Sequence, residues 1–505
     1  MTAGIARGRV PDLPLPAPAR PGWTGAWVAA RLGVSVRTTS SAFGPALPEL
    51  VGLAVRRNPR RAHLLVSSVL GKHVPTDPRL VYGAGAMLGL LVADALTAGI
   101  LPPRPERSRL GALLSGALDG DDDAAAALVA DLPAAGRATA GPTGTVVVGF
   151  AETATALGHV VADVLGAPYL HSTRRRVPGA VPVGQFEEEH SHATSHLLLP
   201  TDPGFLATDG PLVLVDDELS TGQTALNTIV ALQATFPRAR YVLAALVDLR
   251  SAQDRRRMAA VSAALGVDIA VVALAAGSID LPADILRAAA SLVAGCEAAD
   301  GARSSELDPP AAQRRPTAVA AGQPPALPAW PAGVREGARH GFTPADGRLL
   351  GAAATAAAVD LAGSTTGPRI LVLGHEELMY APLRIAMELA GRVGSTKLVR
   401  FSTTTRSPIL AVDEPGYAVR TALTFPAQDD LVDGARFAYN VDPGKDGAAR
   451  FNDIVLVVDS QADTPALRCP GGLLDALQGA GDRVHLVVVP AGPPAWPTGQ
   501  VGDHR

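Results

Sequence analysis

Cysteine is nearly missing from this chain. Cys296 and Cys469 are the only two in 505 residues, too few and too far apart for a disulfide framework or a cysteine-based metal site. A reducing, cytoplasmic compartment is the expectation. Lysine is almost as scarce, since Lys72, Lys397 and Lys445 stand against 41 arginines. With abundant Ala, Gly and Pro, this reads as a bias of composition rather than as chemistry. A basic surplus is absent too: the formal net charge is −4, which speaks against a general nucleic-acid binder, whose footprint is basic. No apolar run approaches the roughly 20 residues of a membrane span, and the first residues hold no hydrophobic signal core. Neither nucleic acid nor membrane is therefore expected, and the partner should be small.

A chain this long exceeds one hydrophobic core, so two domains with connectors are expected. Residues 1–22 are rich in Pro, Arg and Ala without periodicity and are expected as a disordered arm. Residues 23–295 form the first predicted domain. A Pro/Ala-rich linker is predicted over 296–345, and a second domain over 346–498. Apolar strand patterns alternating with helical ones predict an α/β fold with a doubly wound parallel sheet.

The first domain is organised around residues 211–224, PLVLVDDELSTGQT. Leu212, Val213, Leu214 and Val215 have the unbroken apolar pattern of a strand buried on both faces, which is predicted to stop at Asp216 and Asp217. Ser220, Thr221, Gly222, Gln223 and Thr224 follow, then a helical pattern carrying Ala225, Ile229 and Leu232 on one face. Amides without helical partners at a helix start suit a phosphate monoester. Adjacent carboxylates just before them suit vicinal hydroxyls, and a ribose 5-phosphate satisfies both demands.

This segment resembles the phosphoribosyl pyrophosphate (PRPP) signature of type I phosphoribosyltransferases. The resemblance implies that Asp216 and Asp217 hold the ribose hydroxyls, meeting a metal indirectly through magnesium-bound PRPP. It implies that Ser220 to Thr224 wrap the 5-phosphate. A second strand, loop and helix, in which residues 145–148 and Gly149 lead into Phe150, Ala151, Glu152 and Thr153, is similar to the family's pyrophosphate loop, whose backbone amides would meet the pyrophosphate. After the strand at 167–170 come Arg174, Arg175 and Arg176, at least one of which should grip pyrophosphate as a bidentate fork. Orotate-type members cover the base with a lysine-bearing segment and the site with a mobile hood. That implies Lys72 and His73 as base contacts, and His190 or His192, in the His/Glu-rich stretch 178–210, as contacts of pyrophosphate or the leaving oxygen. A metal site including His196 is the competing reading of that stretch.

From residue 370 the pattern returns. GHEELMYAPLRIAMELAG runs in step with GFAETATALGHVVADVLG, Gly374 meeting Gly149 and Glu377 meeting Glu152, and FSTTTRSP echoes LHSTRR. An internal duplication is the expectation. The copy's strand at 454–458 ends in Asp459 and Ser460 without a second adjacent acid or a phosphate loop, so it should not bind PRPP in the usual way. GHEE and TRSP resemble signatures of the TRSP domain, which accompanies a phosphoribosyltransferase domain in bacterial tellurium-resistance and stress gene clusters. His375, Glu376, Glu377, Thr405, Arg406 and Ser407 are its candidate small-molecule site at strand ends; a stabilising or dimerising lobe is the other reading.

The expectation is thus an α/β chain: a doubly wound parallel-sheet phosphoribosyltransferase domain followed by a related, Rossmann-like α/β domain. The resemblance implies Mg2+-dependent transfer of ribose 5-phosphate from PRPP to a small base-like acceptor with release of pyrophosphate, toward a nucleoside-like metabolite in a stress response. Asp216, Asp217, Lys72 and His190 are the catalytic candidates, and a homodimer would be in keeping with similar enzymes. The alternative is a non-catalytic PRPP- or nucleotide-sensing protein.

Overall fold

The computed structural model describes residues 23–489 apart from 59–60, 133–140, 176, 178, 188–194, 307–329, 429–433, 443 and 445–449. The expected arm at 1–22 and the end of the second domain beyond 489 lie outside the described residues. In the first domain the strands are β1 (Ser35–Ser41), β2 (Val51–Asn58), β3 (Arg61–Ser67), β4 (Val146–Gly149), β5 (Tyr169–His171), β6 (Gly184–Glu187), β7 (Ser195–Leu198), β8 (Leu212–Leu219), β9 (Arg240–Asp248) and β10 (Asp268–Asp280). A six-stranded sheet runs β1-β10-β9-β8-β4-β5, parallel except where β1 meets β10. Hairpins β2–β3 and β6–β7 stand apart from it.

Alternate residues of the central strands feed two different cores, as the two-residue period of a strand requires. Val213, Val215, Val242 and Ala244 point into one; Leu212, Leu214, Leu243 and Ala245 point into the other. The first of these cores does not end with the domain, because it also contains Ile370, Val372, Tyr380, Val455 and Val457 of the second. The two sheets therefore face one shared apolar interior, with the helices Pro78–Leu96, Thr155–Leu165 and Tyr380–Val393 packed between them and Pro344–Ser364 packed against the last of these.

The helix Pro78–Leu96 is long and apolar enough, by length and composition, to cross a membrane, although no such run was expected; 78% of its apolar window is buried inside the fold. Its small residues explain how it packs. A Cβ on Gly85 would lie 3.0 Å from Val160, and one on Gly89 2.8 Å from Val164. Four residues apart, these glycines share a face and let the helix Thr155–Leu165 press directly on the backbone.

The second domain has strands β11 (Arg369–Gly374), β12 (Leu398–Thr403), β13 (Ala422–Pro426), β14 (Ala435–Tyr439), β15 (Phe451–Asp459) and β16 (Gly481–Val489). Its sheet runs β12-β11-β15-β16, the order of β5-β4-β8-β9 in the first. In each domain a hairpin, β6–β7 or β13–β14, intervenes before the third of these strands.

The predicted linker is corrected at both ends. A helix, Ile285–Glu306, runs through its start, and from Trp330 the chain is packed rather than loose, with Ala338 and Phe342 buried. Tyr169 and Phe342 exchange both main-chain hydrogen bonds at 2.8 Å, and His171 donates to the Ala338 carbonyl at 3.1 Å. The edge strand β5 would otherwise present unpaired backbone groups, and this segment satisfies them.

Candidate active site

A cavity of about 320 Å3 opens beside the carboxyl ends of β4 and β8, where α/β folds gather ligands. Asp216, Asp217 and the run Ser220 to Thr224 form one wall. β8 does not stop at Asp216 as expected; pairing with β9 carries it on to Leu219, which sits opposite Asp248. Asp216 accepts from the Asp217 amide at 2.9 Å. Burial, with Glu218 alongside, pushes the Asp217 carboxyl above its ordinary pKa.

The chain turns at Gly222, whose φ of 76° is left-handed and whose absent Cβ would come within 2.9 Å of the Met258 methyl. The left-handed φ calls for glycine; the Met258 methyl, at the end of a flexible side chain, can give way. Thr221 Oγ1 accepts from the Gln223 amide at 3.2 Å, starting the helix Gln223–Thr235, whose first-turn amides carry the positive end of the helix dipole. Arg61 of hairpin β2–β3 reaches across to Glu218 at 2.6 Å.

The opposite wall is the turn after β4. Here the expectation of free amides fails in part, since Phe150 donates to the Val215 carbonyl at 3.0 Å and Ala151 to Ser172 Oγ at 2.9 Å. Those amides are engaged within the fold. Glu152 and Thr153 line the cavity, and the Ala151–Glu152 peptide is cis. Glu152 binds Lys72 Nζ at 3.0 Å and accepts from Thr405 Oγ1 at 2.8 Å. Burial opposes its ionisation, but Lys72 and Arg174 outweigh both that and the nearby Glu376, so its pKa is lowered.

Lys72 is accordingly placed on the cavity wall with its ammonium paired to this carboxylate, not reaching out alone. His73 also lines the cavity, and burial, with Lys72 and Arg56 beside it, keeps the ring neutral.

Of the three arginines, Arg174 lines the cavity, 3.4 Å from His196 Nε2. Arg175, another of the three candidates for the pyrophosphate, turns away into the domain interface, 3.3 Å from Glu376 and 3.9 Å from Asp459. Those carboxylates are buried and need a cation. Arg176, His190 and His192 lie outside the described residues. His196 is the histidine of its stretch that the structure places in the cleft, its Nδ1 2.8 Å from Ser172 Oγ and its ring stacked on Phe186.

The separate small-molecule site expected in the second domain is also corrected. His375, Glu376 and Glu377 are buried in an ionic network: Arg436 Nε lies 2.6 Å from Glu376 and Arg339 Nε 3.2 Å from Glu377. Asp459, which ends β15 and by register stands where Asp217 stands in β8, faces Arg339 at 3.4 Å. Guanidinium groups thus stand where the copy's cleft would open. Arg406 and Ser407, by contrast, line the first domain's cavity together with Pro408. Nothing in the motif's spacing marked it as reaching into the other domain's site.

Among the described residues no cluster of three or more His, Cys, Asp or Glu side chains is placed to hold a metal. Two adjacent cavity carboxylates suit a magnesium ion held mainly by substrate oxygens, the usual habit of that ion.

Residues 50–278 match the family model described as phosphoribosyl transferase, and residues 336–477 match that of the TRSP domain, C-terminal to such a transferase. A comparison with curated proteins finds no match. Among solved structures the chain is similar to adenine phosphoribosyl transferase from Trypanosoma brucei in complex with AMP, pyrophosphate and ribose 5-phosphate, at 15% identity and a TM-score of 0.21, covering 29% of this chain and 68% of that one. It is also similar to adenine phosphoribosyltransferase from Leishmania tarentolae, at 20% identity and a TM-score of 0.20, covering 29% of this chain and 74% of that one.

Proposed function

From a chain that is a phosphoribosyl transferase domain followed by a TRSP domain, we infer an enzyme that transfers ribose 5-phosphate from PRPP to a small base-like acceptor and releases pyrophosphate. The observation that carries this reading is one cavity with two unlike walls. A carboxylate pair and a hydroxyl-rich turn built around Gly222 stand on one side; Lys72, Arg174 and Arg406 stand on the other.

In this reading the amides and hydroxyls of Ser220 to Thr224 hold the 5-phosphate, and Asp216 and Asp217 accept from the ribose hydroxyls. That fixes C1 toward the turn after β4. The C1–oxygen bond breaks with its electron pair leaving on pyrophosphate, an acceptor nitrogen lone pair forms the new bond to C1, and the acceptor's proton departs. The protein's contribution is to hold the sugar, neutralise the departing charge and keep water away. Mg2+, when bound with PRPP, neutralises phosphate charge beside Asp216 and Asp217. A role in a stress response belongs to the same reading on the strength of the TRSP resemblance, and a cytoplasmic setting on the scarcity of cysteine.

Titration calorimetry of the full chain with PRPP and Mg2+ tests it, followed by pyrophosphate release across a panel of bases. Absence of PRPP uptake overturns the reading; uptake without turnover of any base turns it into the sensor.

A further inference from the structure

The two domains correspond residue by residue at the edge of the cleft. Gly149 pairs with His171 across β4 and β5, as Gly374 pairs with Thr403 across β11 and β12. Thr173 then corresponds to Thr405, and Arg174 to Arg406. Their environments agree: Thr173 exchanges two main-chain bonds with Leu197, and Thr405 two with Phe437, all at 2.9 Å. The amide two residues on donates to the threonine hydroxyl in both, Arg175 to Thr173 at 3.0 Å and Ser407 to Thr405 at 3.2 Å.

The two copies differ in what surrounds these corners. The second has no phosphate turn, and its strand-end carboxylate Asp459 is covered by Arg339 and Arg175. Yet its Thr–Arg corner points into the first domain's cavity. Arg406 is pinned there at Nε by Glu376, 2.9 Å away, with its side chain 21% exposed, and it lies 3.8 Å from Glu152 of the turn after β4. Main-chain bonds keep the corner in place. Arg57 donates to the Pro408 carbonyl at 3.3 Å, and Leu410 to that of Val55 at 2.9 Å, so hairpin β2–β3, which roofs the cavity, rests on the second domain.

We propose that the second domain is a built-in partner whose own cleft is closed, and that its Arg406 binds the diphosphate end of PRPP in the first domain's cleft alongside Arg174. The proposal rests on the PRPP reading above. With the sugar phosphate on the Asp216 to Thr224 wall, the charge left to neutralise is the diphosphate at C1. Lys72, Arg174 and Arg406 line the cavity around Glu152 of the turn after β4, with Arg56 and Arg61 also on its wall; Arg406, like Lys72, already faces a carboxylate. Guanidinium forks suit phosphate oxygens.

The test is calorimetry on the full chain, with Mg2+, using PRPP, inorganic pyrophosphate and ribose 5-phosphate as separate probes. Arg406→Ala should weaken PRPP and pyrophosphate by about tenfold to a hundredfold, the worth of a charge-assisted bond, and leave ribose 5-phosphate within about twofold. Arg406→Lys should fall between, and thermal unfolding should show both variants folded. Unchanged PRPP affinity in Arg406→Ala, or an equal loss for all three probes, overturns the proposal while leaving the enzyme reading intact. Wild-type protein that takes up none of the three overturns the reading beneath it, and this proposal with it.

Discussion

Thr405 of the second domain donates its hydroxyl hydrogen to Glu152 of the first, at 2.8 Å. The reciprocal bond exists as well, since Thr173 of the first domain donates to Glu377 of the second at 2.7 Å. Each domain thus closes its partner's turn after the first core strand. These four residues occupy equivalent places in the repeat, so the contact has the character of a subunit interface folded into one chain.

Glu377 holds this arrangement together, accepting from Thr173, from the Arg174 amide at 3.0 Å and from Arg339. Glu377→Ala leaves Arg339 and a threonine hydroxyl buried without that partner. The expected loss is on the order of 3–5 kcal/mol, the cost of breaking a buried pair from one side. Chemical denaturation followed by tryptophan fluorescence measures it, and because one core serves both sheets, the loss should appear in a single transition.

Acid should destabilise the protein in two stages. Burial pushes His171 and His340 from an ordinary 6.5 down to about 4, so unfolding takes up protons between those values. Their stabilisation is complete above 6.5 and fades as pH falls toward 4. Burial works against Glu377 ionising, but Arg339, His171 and Arg175 prevail and hold it at about 2, against an ordinary 4.5. Its contribution is present above 4.5 and is lost as pH drops toward 2. Thermal midpoints recorded from about pH 8 to about pH 3 should stay level and then decline from about pH 6.5; a midpoint unmoved down to about pH 4.5 contradicts the histidine assignment.

Replacing Asp216 and Asp217 together with Asn should abolish transfer and leave the unfolding midpoint in place. The amide keeps each side chain's shape, and the Asp216 position keeps an oxygen for the Asp217 amide it now receives. Pyrophosphate release and circular dichroism on one preparation separate the two effects. Full turnover in that variant rules these carboxylates out as ribose ligands.

Gly222→Ala should weaken ribose 5-phosphate and PRPP alike. A left-handed φ of 76° costs a Cβ-bearing residue about 1–2 kcal/mol, and the added methyl meets Met258. Calorimetry with both ligands distinguishes this uniform loss from the selective one expected of Arg406.

The sheet was legible in the sequence because its strands are buried on both faces and read as unbroken apolar runs; Leu212 to Val215 gave both its position and the cavity wall beyond it. The repeat was legible too, through Gly149 and Gly374 and the glutamates three residues on. Adjacent arginines were not separable, because Arg174 and Arg175 differ in which way the chain faces after β5, and that depends on carboxylates some 200 residues downstream. Residues 330–345 read as linker because Pro and Ala dominate their composition, whereas their role comes from main-chain pairing with β5, which leaves no trace in side-chain type. The TRSP corner read as a site of its own because local pattern carries no information about which domain a turn will face.

Housing both halves around one interior has a kinetic consequence. A complex of separate chains falls apart on dilution, but here the donor of Arg406 is tethered, and its effective concentration does not depend on how much protein is made. Specific activity should therefore hold constant down to the lowest amounts at which it can be assayed.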